Sequence, residues 1–162
     1  MSAANAKSGA APLRPADANF EQRVRDSFAR QAVMTTLGAR IDAIAVGRVE
    51  LSMAHRAELT QQHGFLHAGI VAAALDSACG YAAFTLMPDD AAVLTIEFKI
   101  NLLAPARGPR FRFVGVVVKP GRTISVVDGQ ALQGDGDGAA ESLFATMSAT
   151  VMTVRGREGL RH

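Results

Sequence analysis

The alternation of apolar and polar positions along the chain predicts a helix, a strand pair, a second helix and four further strands. Apolar side chains recur at roughly helical spacing between Asn19, a candidate N-cap, and Gly38, a candidate stop. Alternation on either side of Gly47 predicts two short strands that form a hairpin within 39–54. Four more segments with strand character, separated by turn residues, lie at 93–105, 110–118, 124–132 and 141–154.

The second predicted helix, from His67 to Phe84, is apolar on nearly all sides. Such a helix belongs inside a protein, and the surrounding strands are ordered as an antiparallel sheet that could enclose it. The fold class predicted from this order is α+β, with an antiparallel β-sheet wrapped around a long central α-helix. We found no internal repeat along the chain.

Asp76 is the one acid in this apolar helix. An unpaired buried carboxylate costs on the order of several kcal/mol, so its presence needs a reason. Two interpretations remain open. In the first, Asp76 has a structural role, at a solvent gap or in a hydrogen bond to a neighbouring chain. In the second, it faces a cleft and serves as a base or nucleophile.

The residues ahead of this helix suggest a binding site for negative charge. Gly64 and Gly69 allow a tight turn into the helix, and the first helical N–H groups have no partner inside the helix. These groups could bind an oxyanion that develops on a carbonyl. His63 and His67 either take part or hold the loop by hydrogen bonds. No His or carboxylate pair has metal-ligand spacing, so no metal site is predicted.

Composition narrows the function classes. The 162 residues are 49% hydrophobic and 20% charged, as expected for one globular domain, and the net charge of +2 is too small to indicate nucleic acid. The single cysteine, Cys79, excludes an internal disulfide and is expected to be a small core residue. No segment has the length and apolarity of a membrane span, and the first residues lack a secretory signal. A cytoplasmic protein is therefore expected, with a disordered tail at 1–18, one domain at 19–156 and a C-terminal tail at 157–162.

The motif Q-x-x-G-x-x-H-A-G at 61–69, the small-residue helix with its Asp, and the strand E-F-K-I-N-L-L-A-P-A at 97–106 together resemble the hotdog-fold acyl-CoA thioesterases. The likeness spans roughly 37–154 and is greatest to the phenylacetic-acid-degradation-type branch of the 4-hydroxybenzoyl-CoA thioesterase superfamily. The resemblance implies hydrolysis of an acyl- or aryl-CoA to the free acid and coenzyme A, without a cofactor.

The resemblance also implies roles for particular residues. Asp76 matches the catalytic carboxylate, and Gln61 lies where the family has Asn or Gln near the attacking water or the thioester. Ala68 replaces the first glycine of the family's His-Gly-Gly, whose backbone N–H polarises the thioester carbonyl, and Gly69 follows it. Thr95 matches a Ser or Thr position that helps to place the water. The two halves of such a site come from different protomers, so a homodimer, commonly paired into a tetramer, is expected.

The sequence indicates the residues that contact the substrate less clearly than the catalytic ones. We expect Gly64 and His67 to lie beside it, and candidate cations for the coenzyme A phosphates are Arg107, Arg110, Lys119 and Arg122. Two alternatives stay open: a non-catalytic acyl-CoA-binding sensor or scaffold, and a hotdog hydratase. The hydratase reaction needs a catalytic His paired with an acid in a different motif, which the sequence lacks.

Overall fold

The computed structural model describes residues 12–135 and 140–157. Within these ranges the chain forms three α-helices, one short 3-10 turn and six strands. Of the predicted tails at 1–18 and 157–162, residues 1–11 and 158–162 lie outside the described residues. Residues 136–139, between the last two predicted strands, lie outside them as well. The helices are α1 (Phe20–Ala29), α2 (Ala32–Leu37) and α3 (Ala68–Phe84), the 3-10 turn is Ala57–Leu59, and the strands are β1 (Arg40–Ala45), β2 (Arg48–Ala54), β3 (Ala92–Leu102), β4 (Arg110–Lys119), β5 (Ile124–Gly134) and β6 (Ser142–Val154).

The six strands form one sheet in the order β1-β2-β4-β5-β6-β3, and every neighbouring pair is antiparallel. All strands of this sheet except β1 contact α3 closely, so the sheet curves around the helix. The predicted α+β architecture, an antiparallel sheet wrapped around a long helix, is confirmed. The predicted hairpin at Gly47 and the four later strands are confirmed as well, with ends that differ by a few residues.

Burial of α3 organises the core. Its residues Leu75, Ala78 and Phe84 are fully buried, and they belong to the same apolar cluster as Phe113 of β4 and Val127 of β5. The helix has almost no polar face, so the sheet can cover it on several sides. Burial of this apolar surface is the main favourable contribution to folding.

The prediction of a single helix between Asn19 and Gly38 is wrong, because this segment forms two helices, α1 and α2, separated at Gln31. Gln31 has an extended backbone, with φ −81° and ψ 92°, and its side chain accepts a hydrogen bond from Ser77 of α3. No Pro or Gly marks the break, so contacts with α3 outweigh the local helical pattern. Gly38 ends α2 in the left-handed region, as predicted, whereas the Asn19 side chain makes no cap hydrogen bond.

Arg23 of α1 holds the C-terminal end of α3. Its guanidinium donates hydrogen bonds to the carbonyls of Phe84, Met87 and Pro88, and it lies 4.4 Å from the centre of the Phe84 ring. A cation at this end complements the helix dipole and satisfies carbonyls that have no partner inside the helix. Asp17, in the segment that precedes α1, forms an ion pair with Arg23. This contact ties part of the predicted tail to the domain.

Glycines on the sheet allow it to approach α3. A Cβ atom at Gly115 of β4 would lie 2.3 Å from the Ala78 carbonyl oxygen, which belongs to the helix backbone and cannot move aside. A Cβ atom at Gly129 of β5 would lie 3.0 Å from the sulfur of Cys79. The distance between sheet and helix therefore depends on the absence of a side chain at Gly115.

We predict that Gly115→Ala lowers the free energy of unfolding by about 1–3 kcal/mol, the usual effect of overpacking a core. Urea denaturation followed by circular dichroism measures the change. The matched control is Val116→Ala, the next residue along β4, because Val116 is partly exposed on the other face of the sheet and should change stability much less. Equal midpoints for Gly115→Ala and the parent would contradict this packing.

Candidate active site

Asp76 lies near the middle of α3, and its half-buried side chain faces the start of β3. The Thr95 hydroxyl donates a hydrogen bond of 2.7 Å to Oδ1 of Asp76. Among the residues that the structure describes, Asp76 has no cationic partner within ion-pair distance. The carboxylate is therefore held in place by a neutral hydroxyl and not neutralised by a positive charge.

A bulge in β3 aims Thr95 at Asp76. The register with β6 shifts between Thr95 and Glu97, so that Ile96 is an extra residue. Thr95 consequently faces α3, whereas Glu97, two residues later, accepts a hydrogen bond from Thr150. In a regular strand residues two apart share a face. The bulge thus lets β3 present a polar residue to Asp76 and still return Ile100 to the core.

Burial raises the pKa of Asp76 above its usual value, and the hydrogen bond from Thr95 acts in the opposite direction. A carboxyl group with a raised pKa is a stronger base than an ordinary one once it is ionised. Burial also raises the pKa of the Cys79 thiol to about 12. Cys79 therefore stays protonated at neutral pH and is unsuited to act as a nucleophile, which agrees with its predicted place in the core.

A cavity of about 330 Å³ adjoins Asp76. Among residues 12–135 and 140–157, neither Lys nor Arg lines it. The Ser77 hydroxyl, next to Asp76, donates a hydrogen bond of 3.3 Å to Oε1 of Gln31 and closes one side. The lining residues are Gln31, Asp76, Ser77, Gly80, Tyr81, Val93, Leu94 and Thr95. The sequence interpretation missed Gln31, because nothing local marks the break between α1 and α2; the polar Ser77 beside Asp76 was a signal that could have been followed.

The N-terminus of α3 offers one free backbone donor. His67 is the N-cap, and its ring nitrogen Nδ1 accepts a hydrogen bond of 2.9 Å from the Gly69 N–H. The Ala68 N–H has no hydrogen-bond partner within the described chain, and Ala68 is exposed. We expected both Ala68 and Gly69 to donate to an oxyanion. In this conformation the Gly69 N–H is occupied by His67, and the Ala68 N–H is available.

The loop ahead of α3 is built as a turn around Gln61 and Gly64. The Gln61 side-chain carbonyl accepts a hydrogen bond from the His63 N–H. Gly64 has a φ of +80°, which favours glycine, and its carbonyl lies 3.1 Å from the His55 ring. Gln61 and Ala68 line a second cavity of about 370 Å³. Its other lining residues are Phe65, Leu66, Val71, Leu102, Leu103, Ala104, Pro105, Ala106 and Phe144.

Within one chain the predicted site residues form two separate groups. Asp76 and Thr95 are in contact, and Gln61 and Ala68 share a cavity, but Asp76 follows Ala68 by eight residues. At a rise of 1.5 Å per residue this is about 12 Å along the helix axis. The Ala68 N–H also points out of the N-terminal end of the helix, away from Asp76.

The predicted cations do not form one cluster. Arg107 lies 4.5 Å from the centre of the Phe65 ring, which lines the cavity that contains Ala68. Arg110 begins β4, whereas Lys119 ends it and Arg122 lies in the turn that follows. The length of β4 therefore separates Arg107 and Arg110 at one end from Lys119 and Arg122 at the other by about 30 Å. Of the four, Arg107 is the one beside the helix N-terminus.

Neither a metal centre nor a membrane span is found in the described part of the chain. No three His, Cys, Asp or Glu side chains there are grouped so that they could hold a metal ion. None of the described helices combines the length and the apolarity needed to cross a membrane.

The comparisons with known proteins find thioesterases and esterases. Residues 63–140 match the family model described as the thioesterase superfamily. A thioesterase family protein from Silicibacter pomeroyi is 60% identical, and the alignment covers 85% of this chain and 99% of that one with a TM-score of 0.81. A protein of Sulfurisphaera tokodaii that is provisionally named an esterase is 30% identical over 66% of this chain and 79% of the relative.

A more distant structure has the same fold. The Escherichia coli PaaI protein, from the phenylacetic acid degradation operon, is 18% identical, covers 85% of this chain and 95% of its own, and has a TM-score of 0.75. At this identity the likeness concerns the fold alone.

We predict that Asp76→Asn raises the melting temperature at neutral pH, and that this gain shrinks as the pH falls. Because the pKa of Asp76 is raised in the folded state, the parent loses stability as the pH rises through the window between the unfolded and folded pKa values. The Asn variant has no such loss. Thermal melting of both proteins across acidic to neutral pH measures the difference.

A second variant tests how the hydrogen bond from Thr95 affects the pKa of Asp76. Thr95→Val removes the one hydrogen bond that lowers the pKa of Asp76, so the window should extend to higher pH. A gain from Asp76→Asn that stays the same at every pH would contradict this electrostatic account.

Proposed function

Because this chain belongs to the thioesterase superfamily and is a thioester hydrolase with the hotdog fold, we propose that its substrate is an acyl- or aryl-CoA, which it hydrolyses to the free acid and coenzyme A. The observation that carries this proposal is Asp76. It is a half-buried carboxylate without a cationic partner in the described chain, oriented by Thr95 beside a cavity that polar and apolar side chains line together. A carboxylate kept in such a place costs stability, and a role in chemistry accounts for its retention.

Asp76 supplies the base or the nucleophile. As a base, it takes a proton from a water molecule while the water oxygen bonds to the thioester carbon; the carbon–sulfur bond then breaks, and the thiolate of coenzyme A leaves. As a nucleophile, its carboxylate oxygen bonds to the thioester carbon, the carbon–sulfur bond breaks and the thiolate of coenzyme A leaves; water then hydrolyses the resulting anhydride to the free acid and the carboxylate of Asp76. Thr95 positions the carboxylate in both routes, and Gln61 is proposed to hold the water or the thioester.

The Ala68 N–H is the proposed oxyanion donor. It is exposed, unpaired within the described chain and located at a helix N-terminus, where partial positive charge accumulates. The alanine methyl group does not remove this donor. His67 supports it indirectly, because its ring binds the neighbouring Gly69 N–H and fixes the first turn of the helix.

We propose that one complete site needs two chains. Asp76 and Ala68 of the same chain are about 12 Å apart along the helix, whereas a base and an oxyanion donor must meet on the same carbonyl group. Edge strand β3 offers an interface, since Ile96 and Phe98 are 54% and 43% exposed and its outer edge is unpaired. A long apolar edge strand of this kind favours pairing with another chain. A homodimer, with a dimer of dimers as the larger form, is therefore the proposed assembly.

Coenzyme A is proposed to approach the N-terminal end of α3. Arg107 stacks on Phe65 at the border of the cavity that contains Ala68, where it can meet a phosphate group. Gly64 and His67 lie in the same loop and are proposed to contact the substrate. Arg110, which begins β4 at the same end as Arg107, is a further candidate. Lys119 and Arg122 remain secondary candidates because a partner chain would have to bring them near. A cytoplasmic location is part of the same proposal, since the lone thiol of Cys79 suits a reducing compartment.

We predict that Asp76→Asn lowers the turnover number by about 10²–10⁴, the usual contribution of a positioned acid–base group. The KM should change little, because Asn fills the same space and leaves the backbone donors intact. Release of free thiol from a series of acyl-CoA substrates measures both constants. Near-normal turnover would remove Asp76 from the mechanism. A parent that binds acyl-CoA but releases no thiol would instead indicate a sensor or scaffold.

Ala68→Pro tests the oxyanion donor directly, because proline has no N–H. Proline is well tolerated at the first position of a helix, and His67 already has the extended backbone that a residue before proline prefers, with φ −62° and ψ 138°. The turnover number should fall by about 10²–10³ while the melting temperature is kept. The matched control, Ala68→Gly, retains the N–H and should stay active. Equal activity of the two variants would exclude this donor.

A further inference from the structure

Gly80 is a glycine that packing does not require. It lies four residues after Asp76, on the same face of α3, and it is buried. Yet a Cβ atom built at Gly80 would meet no atom within 4 Å outside the local helix backbone. Gly115 and Gly129 behave in the opposite way, because a Cβ atom at Gly115 would collide with the backbone of α3 and one at Gly129 would be in tight contact with the Cys79 and Leu75 side chains. Gly80 therefore faces open space inside the domain.

The retention of glycine at this position needs an explanation other than packing. Glycine is less favourable than alanine in the interior of a helix, because it loses more conformational freedom on folding. The φ of Gly80 is also not in the left-handed region, so backbone strain does not require glycine there. What an alanine would change is the space itself, because its methyl group would enter the cavity beside Asp76.

That cavity suits an acyl group and not the phosphates of coenzyme A. No Lys or Arg of the described chain lines it, and Val93, Leu94 and Tyr81 give it an apolar wall. The hydroxyls of Ser77 and Tyr81 are already engaged, with Gln31 and Ser27 respectively. A cavity of about 330 Å³ has room for a benzene ring or a short chain, and a long fatty acyl chain would have to extend beyond it.

We propose that Gly80 is a specificity-determining residue: the space above it receives the acyl group, and it selects acyl-CoA substrates with an aryl or short acyl group. This inference rests on the proposed function, because it takes Asp76 as the group that acts on the thioester carbon. The acyl group is attached to that carbon, so it extends from Asp76 along the helix over Gly80 towards Tyr81.

The test compares the parent with Gly80→Ala and Gly80→Val on acetyl-CoA, butyryl-CoA, benzoyl-CoA, phenylacetyl-CoA and palmitoyl-CoA. The parent should prefer the aryl substrates over palmitoyl-CoA. Gly80→Ala should lower kcat/KM for the aryl substrates by about 10–100-fold, because one added methyl group competes with the ring for the pocket. It should change acetyl-CoA hydrolysis far less, and Gly80→Val should extend the trend.

Thermal melting supplies the control for folding. Gly80→Ala should melt a few degrees higher than the parent, because alanine stabilises the helix and its methyl group meets no atom. A variant that is more stable and yet selectively impaired on bulky substrates supports the inference. A lower melting temperature would show that the space is not open and would overturn it.

The remaining outcomes separate the inference from the function on which it rests. A parent that hydrolyses acyl-CoA, with equal losses on all substrates or none in Gly80→Ala, overturns the role of Gly80 alone. A parent with its highest kcat/KM on palmitoyl-CoA does the same. A parent without thioesterase activity on any of the five substrates overturns the proposed function, and the inference with it.

Discussion

The burial of α3 inside a curved sheet is the constraint on which the other features depend. The helix has almost no polar surface, so the sheet has to enclose it, and Gly115 and Gly129 let the strands come close enough to do so. Enclosure makes any charge on the helix costly. Asp76 is placed where this cost is reduced, at a cavity and under the hydroxyl of Thr95. The same burial raises its pKa and strengthens it as a base.

Strand β3 connects this carboxylate to the surface where a second chain could bind. Thr95, just before its bulge, faces Asp76, and the neighbouring Ile96 and Phe98 are left exposed. One strand therefore positions the acid and leaves an unpaired apolar edge next to it. A partner bound at that edge would lie beside the cavity, which Leu94 and Thr95 of β3 help to line, and would limit the access of bulk water to Asp76.

Much of the fold could be predicted from the sequence because its signals are local. Alternating strands, the turn at Gly47 and the apolar helix with its single acid each follow from residue patterns, and they were found in the structure. The break at Gln31 could not be predicted, since it depends on a contact with Ser77 that is distant in sequence. The separation of Lys119 from Arg107 already follows from the strand predicted at 110–118, whereas only the structure shows that Arg107 lies against Phe65. The open space at Gly80 is visible only in three dimensions, since three glycines near α3 look alike in the sequence.

The central claim, that one site combines Asp76 of one chain with Ala68 of another, is tested most directly by mixing two inactive variants. Asp76→Asn and Ala68→Pro are purified separately, unfolded together, refolded and assayed for thiol release. In a two-fold symmetric dimer, each mixed pair would contain one site with both an intact Asp76 and an intact Ala68 N–H, so the mixture should regain roughly a quarter of the parent activity. Activity that stays at the level of the separate variants, in a sample shown to contain mixed dimers, would contradict a site shared between chains.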